Sequence, residues 1–155
     1  MSFTPSSPVT GGVVPTATSP TFTLTADADP APQAKQYFVS TLGGTQTGVT
    51  VHTVASPFTI AFWKPVALVA AQFFSALTGF KTRNPTNRYK LVVRKGVTPA
   101  SGAVAQEMTI NVSIDCPAGA ESFDAANVNA ALSLFAGAFM AQCSGISDNV
   151  KFGTK

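Results

Sequence analysis

The sequence predicts an α+β fold: an antiparallel β-sheet, an N-terminal hairpin plus a meander, followed by a C-terminal helix or helix pair. Three observations predict it. Short segments in which apolar and polar residues alternate recur between 21 and 116, and clusters of Gly, Pro, Asn and Asp separate them. After 122 the apolar spacing lengthens to three and four residues, the period of a helix. At 155 residues the chain suits a single domain, 1–155, with an arm or loop over 1–20, the sheet over 21–116 and a helical region over 122–144.

Residues 1–20 are rich in Ser, Thr, Pro and Gly and show no periodic apolar face, so they are expected to order only against neighbours. The first strand is Thr21 to Ala26, where Phe22 and Leu24 alternate with threonines; the Asp/Pro-rich stretch 27–32 ends it. Lys35 to Thr41 and Gly48 to Val54 read as two further strands around Gly43 and Gly44. Phe58 to Lys64 is the next, stopped by Pro65. Val66 to Asn87 is compatible with a short helix, a strand or a packed loop.

Arg88 to Lys95 and Glu107 to Asp115 carry the clearest alternation, and a Gly/Pro-containing loop joins them. Tyr89, Leu91 and Val93 fall on one face of the first strand, with Arg88, Lys90 and Arg94 on the other. In the second, Met108, Ile110, Val112 and Ile114 oppose Glu107, Thr109, Asn111 and Ser113. One covered and one open sheet face follow.

Ser122 is the expected N-cap of the helix, and Asp124 suits the positive end of its dipole. Val128, Leu132, Phe135 and Phe139 form one apolar stripe, but Ala131, Leu134, Ala138 and Met140 leave the flanks hardly more polar. Gly137 is the expected site of a kink or split. A helix on a sheet needs one apolar stripe, whereas a helix apolar nearly all round needs cover from a second direction. A second copy of the chain would supply it, burying apolar surface at roughly 25 cal/mol per Å². The expectation is a symmetric, intertwined dimer with a continuous sheet on one side and interlocked helices on the other, Val128, Leu132, Phe135 and Phe139 at its interface. The alternative is a monomer in which 66–77 forms a covering helix.

Composition bears on partners. Hydrophobic residues are 45% of the chain and charged residues 11%, a charge share low enough to suit either a well-buried small domain or a subunit covered by its own copies. The net charge is only +3, yet no acidic residue lies between Pro30 and Gln106, a span that holds Lys35, Lys64, Lys81, Arg83, Arg88, Lys90, Arg94 and Lys95. A polyanion is the natural partner for such a field.

Little in the sequence speaks for catalysis or a cofactor. His52 is the only histidine, so no His-based catalytic or zinc constellation is available, and there is no phosphate-binding Gly loop or paired carboxylate arrangement. Asp27 and Asp29 lack the ligand count of a calcium loop. Cys116 and Cys143 form no CxxC motif and are expected to be free thiols, and Trp63 suits an interface or core position better than a stacking site for a base. No catalytic residue, metal or cofactor is expected. The N-terminus lacks the pattern of a signal peptide, and the longest apolar run, Val66 to Leu77, is too short to span a bilayer, so no membrane partner is expected either.

The second half of the chain resembles the coat proteins of levivirus-type single-stranded RNA bacteriophages. The stretch Asn87 to Lys95 (NRYKLVVRK) is similar to a family strand whose alternate residues contact RNA. Glu107 to Gly119 (EMTINVSIDCPAG) is similar to the family's last strand and exit turn, and Val128 to Gly137 (VNAALSLFAG) to its first helix. The likeness runs from Arg88 to Gly153; the long N-terminal arm and the segment 66–87 depart from it.

The resemblance implies a non-enzymatic capsid subunit, made in the cytoplasm of a bacterial host, that dimerises and builds an icosahedral shell. The helix-free sheet face would line the particle and bind genomic RNA through Arg88, Lys90, Arg94, Thr109, Asn111 and Ser113. It further implies repression of replicase translation through an RNA hairpin, a maturation protein as partner, and a 96–106 loop at the shell's symmetry axes. The competing expectation is a pilus-type or other self-assembling structural subunit whose N-terminal arm completes a neighbour's sheet.

Overall fold

Among the described residues, six strands follow one another in space as they do in sequence: β1 (Val9–Thr10), β2 (Thr21–Ala26), β3 (Ala34–Gly43), β4 (Phe58–Trp63), β5 (Thr86–Val97) and β6 (Gln106–Pro117). All neighbours are antiparallel, so the sheet is one uninterrupted meander. Three helices follow among the described residues: α1 (Ala120–Phe123), α2 (Ala125–Ala141) and α3 (Cys143–Phe152). The structure, a computed structural model, describes residues 3–72, 79 and 84–153. Much of the open segment 66–87, with Lys81 and Arg83, lies outside the described residues; 66–72 form neither helix nor strand.

The expected strand over Gly48 to Val54 is absent. β3 pairs directly with β4, Ala34 opposite Trp63 and Phe38 opposite Thr59, so no lane in the sheet remains for it. The segment is pinned as a loop instead. His52 donates its backbone N–H to the Val39 carbonyl at 3.1 Å, accepts the Phe58 N–H on Nδ1 at 3.0 Å and sets its ring 5.2 Å from that of Phe38. Lys95 holds the same loop from below, donating to the Thr50 carbonyl and hydroxyl at 2.8 and 3.0 Å.

The N-terminal segment also departs from expectation, because it orders against its own sheet. Val9 pairs with Phe22 and Thr10 with Thr21; Ser7 clasps Leu24, its hydroxyl donating to the Leu24 carbonyl and accepting the Leu24 N–H. The Phe3 ring stacks on Phe62 at 5.1 Å and meets Tyr37 edge-on, and the Tyr37 hydroxyl donates to the Phe3 carbonyl. Aromatic burial and two-way backbone bonding give this Ser/Thr/Pro-rich stretch the enthalpy that its composition alone does not advertise.

β6 turns into the helices at Gly119, whose φ of +91° lies in the left-handed region open to glycine. Ser122 caps neither helix: Gly119 is the N-cap of the one-turn α1, Asp124 is that of α2, and Ser122 lies inside α1 with its hydroxyl donating back to the Gly119 carbonyl. Asp124 is the residue before α2, where its carboxylate accepts both bonds from the Asn127 side-chain amide. The break comes at Gln142 rather than at Gly137, and α2 and α3 meet there at 63°. No single helix among the described residues is long and apolar enough to cross a membrane.

The core of the isolated chain is thin. Its buried apolar residues are mostly small (Ala17, Ala34, Ala61, Ala118, with Val39, Val92 and Cys116), and among the described residues the one large side chain buried outright is that of Asn87. The chain exposes 10,590 Å², against about 7,400 Å² for a self-contained monomer of its 16.0 kDa. The excess, about 3,000 Å², is on the scale of an obligate interface.

Candidate nucleic-acid interface

Opposite residues of an antiparallel ladder share a face, and the β5–β6 register therefore decides which side chains meet. Arg88 stands opposite Asp115, Lys90 opposite Ser113, Val92 opposite Asn111 and Arg94 opposite Thr109. All six residues expected to contact RNA are thus brought onto one face, and all six are exposed. Tyr89, Leu91 and Val93 lie on the other face with Ile114, Val112 and Ile110.

The polar face continues onto β4, where Trp63 pairs with Lys90, Ala61 with Val92 and Thr59 with Arg94. Thr59, Ala61 and Val92 are buried, a floor of small side chains between longer ones. Over it lies an open cleft of about 270 Å³ lined by Trp63, Lys90, Val92, Arg94, Glu107, Thr109 and Asn111. Trp63 therefore stands beside two cations and an amide on the polar face, away from the apolar side. The alternation of β4 carried the signal, since it set Trp63 opposite in phase to Phe58, Ile60 and Phe62; only the β4–β5 register shows that this phase is that of Lys90.

Electrostatics divides the cations. Arg88 is held by Asp115 through two bonds, Nε to Oδ1 at 2.6 Å and Nη2 to Oδ2 at 3.0 Å. The hydrogen bond and charge of Asp115 raise the Arg88 pKa, and the Arg88 hydrogen bond in turn holds the Asp115 carboxyl below its usual range. Arg94 has a looser partner, Glu107 at 3.6 Å. Lys90 is in no ion pair among the described residues, so its charge is the most available to a phosphate.

The apolar side presents a second feature. The four stripe residues lie along α2, yet only Val128 is even half-buried; Leu132, Phe135 and Phe139 are exposed, as are Leu134 and Met140 on the flank, at 74% and 51%. Among the described residues α2 packs chiefly on α1 and α3. An open cleft of about 490 Å³ separates it from β6, with Val112, Ile114 and Cys116 on one wall and Val128, Ala131, Leu132 and Phe135 on the other. Among the described residues β6 is also an unpaired sheet edge twelve residues long, and its Met108 and Ile110 are exposed.

A one-layer sheet with an unpaired edge and a helix that its own chain leaves uncovered defines a structural, self-assembling subunit. Comparison with known proteins agrees. The chain is similar to the subunit of the virus-like particle of bacteriophage ESE020, with 45% sequence identity over 99% of this chain and 100% of that one and a TM-score of 0.93. It belongs to the coat-protein family of the levivirus-type single-stranded RNA bacteriophages and is a structural protein of the capsid. A more distant likeness is to the virus-like particle of Wenzhou levi-like virus 4, at 14% identity over 84% of this chain and 68% of that one, with a TM-score of 0.42. No protein-family model matches the chain, and no curated protein matches it.

Proposed function

We propose that the chain acts as an obligate homodimer that assembles into an icosahedral shell and holds single-stranded genomic RNA on the polar sheet face. The observation that carries the dimer is the exposed α2, apolar on nearly every side, above a cleft that its own chain leaves open. The α2 of a second copy has the matching surface, with Leu132, Phe135 and Phe139 as anchors, and the free β6 edges supply the backbone pairing that continues the sheet. A long apolar edge strand left bare would invite uncontrolled aggregation, whereas two-fold pairing closes it.

Support for RNA comes from the convergence of Arg88, Lys90 and Arg94 with Thr109, Asn111 and Ser113 on one exposed face. Lysine and arginine suit phosphates, and the amide and hydroxyls suit phosphates or base edges. Trp63 adds a ring on which an unpaired base can stack. On this reading the same face binds an RNA hairpin and represses replicase translation, the 96–106 loop sits at the shell's symmetry axes, and a maturation protein joins the particle assembled in the host cytoplasm. The pilus-type reading loses its motive, because β1 completes the sheet of its own chain.

The decisive experiment is expression in bacteria followed by size-exclusion chromatography and electron microscopy. Closed shells that co-purify with nuclease-sensitive RNA are expected, and disassembly should give dimers. A stable monomer or open filaments would overturn the reading, and empty shells would overturn its RNA half.

A further inference from the structure

Among the described residues, α2 packs on α1 at its start and meets α3 at its end, and an open cleft separates its middle from β6. At the start, α1 rests on β6 and is tied to the sheet by Glu121, whose Oε1 accepts a 2.7 Å bond from the buried Asn87 amide. At the other end lies the α2–α3 corner, and the residue that meets it comes from the N-terminal segment. A Cβ placed on Gly12 would lie 2.7 Å from the Cys143 Cβ, 2.8 Å from its Sγ and 3.2 Å from the Met140 carbonyl oxygen. Only glycine fits there without displacing the corner.

Gly12 is not free to retreat. The residues before it are fastened to the sheet in succession: Phe3 by its stack on Phe62, Ser7 by its two bonds to Leu24, Val9 and Thr10 by pairing with β2, and Gly11 by its N–H to the Pro20 carbonyl at 2.8 Å. The segment is therefore a strap of set length, anchored on the sheet at one end and abutting the helical corner at the other. Between the two supports lies the 490 Å³ apolar cleft beneath α2.

We infer that the N-terminal strap is a positioning device for assembly: through Gly12 it sets, within the same chain, the height of the α2–α3 corner above the sheet, and with it the opening offered to the α2 of a second copy. This rests on the dimer reading for what enters the cleft; the contact itself does not. A strap of this kind also explains why a polar, proline-rich segment packs against its own fold instead of trailing from it. Its Phe3 occupies the apolar face at Tyr37 and Phe62, which leaves the β5–β6 side of that face for the partner.

Two variants of the full-length protein test the inference. In Gly12→Cys, mild oxidation should join the introduced thiol to Cys143 inside one chain, since an adjustment of about 1 Å brings the β-carbons to disulfide spacing; non-reducing electrophoresis should show a fast-running monomer band with two thiols lost per chain. A band of twice the mass would place the arm on a neighbour's corner, and no disulfide would remove the contact; either overturns the inference. Gly12→Val should lower the yield of assembled particles roughly tenfold, the scale of an overpacking penalty, with the far-UV circular dichroism of the sheet retained. Adding Cys143→Gly, which clears the space, should restore assembly. Normal particle yield from Gly12→Val, or no rescue by the second change, would overturn the positioning role. A wild-type chain found monomeric, with the Gly12→Cys variant still cross-linked within itself, would overturn the dimer reading and leave the strap standing.

Discussion

Arg88 and Asp115 face each other across the β5–β6 ladder in a two-pronged ion pair, 2.6 and 3.0 Å long, on the face assigned to RNA. The pair is exposed, so it adds little to stability, but it commits the geometry of one arginine to a carboxylate that a phosphate would otherwise replace.

The first prediction follows from that competition. Asp115→Asn should free Arg88, raise RNA affinity at neutral pH and steepen the slope of log K against log salt by about 0.7, the increment for one further phosphate contact on a single strand. Acid should act in the same direction. The Asp115 carboxyl is held below its ordinary range, so the pair persists at neutral pH and is lost only as pH falls through that depressed value. Filter binding across salt concentrations measures it; an unchanged slope would remove Arg88 from the RNA surface.

A second prediction separates charge from stacking. Lys90→Ser with Arg94→Ser should lower packaged RNA and flatten the salt slope while dimers persist, because neither residue touches the apolar side. Trp63→Ala should instead weaken binding by about 1–3 kcal/mol per stacked base at nearly constant slope, since stacking releases no counterion. The ratio of absorbance at 260 and 280 nm in purified particles, read beside the binding isotherms, distinguishes the two.

Asn87 offers a test of the fold independent of assembly. Its carboxamide accepts the Val69 N–H at 2.9 Å and donates to the Val69 carbonyl and to Glu121, so the buried side chain stands in for a missing strand partner. Asn87→Leu leaves Val69 and Glu121 without those bonds and should cost about 1–3 kcal/mol. At roughly 2–4 °C per kcal/mol, Tm should fall by several degrees. Asn87→Asp should be worse at neutral pH than in acid, because it sets a second carboxylate against Glu121. Differential scanning calorimetry at the two pH values reports both.

The dimer reading is tested on the helix. Leu132→Asp combined with Phe135→Asp should abolish the dimer and leave a monomer with weakened β-sheet circular dichroism, because both side chains are exposed in their own chain and an obligate dimer has little folded stability alone. Analytical ultracentrifugation decides. If the double variant still sediments as a dimer, the helices do not form the interface.

Much of this architecture was legible in local pattern. Alternation over 88–95 and 107–115 separated Lys90 and Asn111 from Leu91 and Val112, and the ladder keeps them apart. Within the helical region expected over 122–144, the long helix spans Ala125–Ala141. A run of apolar residues flanking the Val128–Phe139 stripe already told that one sheet could not cover α2. Gly48 to Val54 misled because its threonines and valines favour strands, and propensity does not know that β4 occupies the place beside β3. Ser122 misled because a separate one-turn helix, started by the left-handed Gly119, takes it into its interior, and the long helix begins afresh after Asp124.

By itself, then, the order of residues determined β2 to β6, their two unlike faces and the surplus of apolar helix, because these depend on periods of two and about 3.6 within one segment. Only the tertiary structure decided that Trp63 stands beside Lys90, that Arg88 is claimed by Asp115, and that Gly12 meets Cys143. Each of those is a contact across the sheet or between distant segments, set by register and by which surfaces compete for cover, and neither quantity is written in any single stretch of sequence.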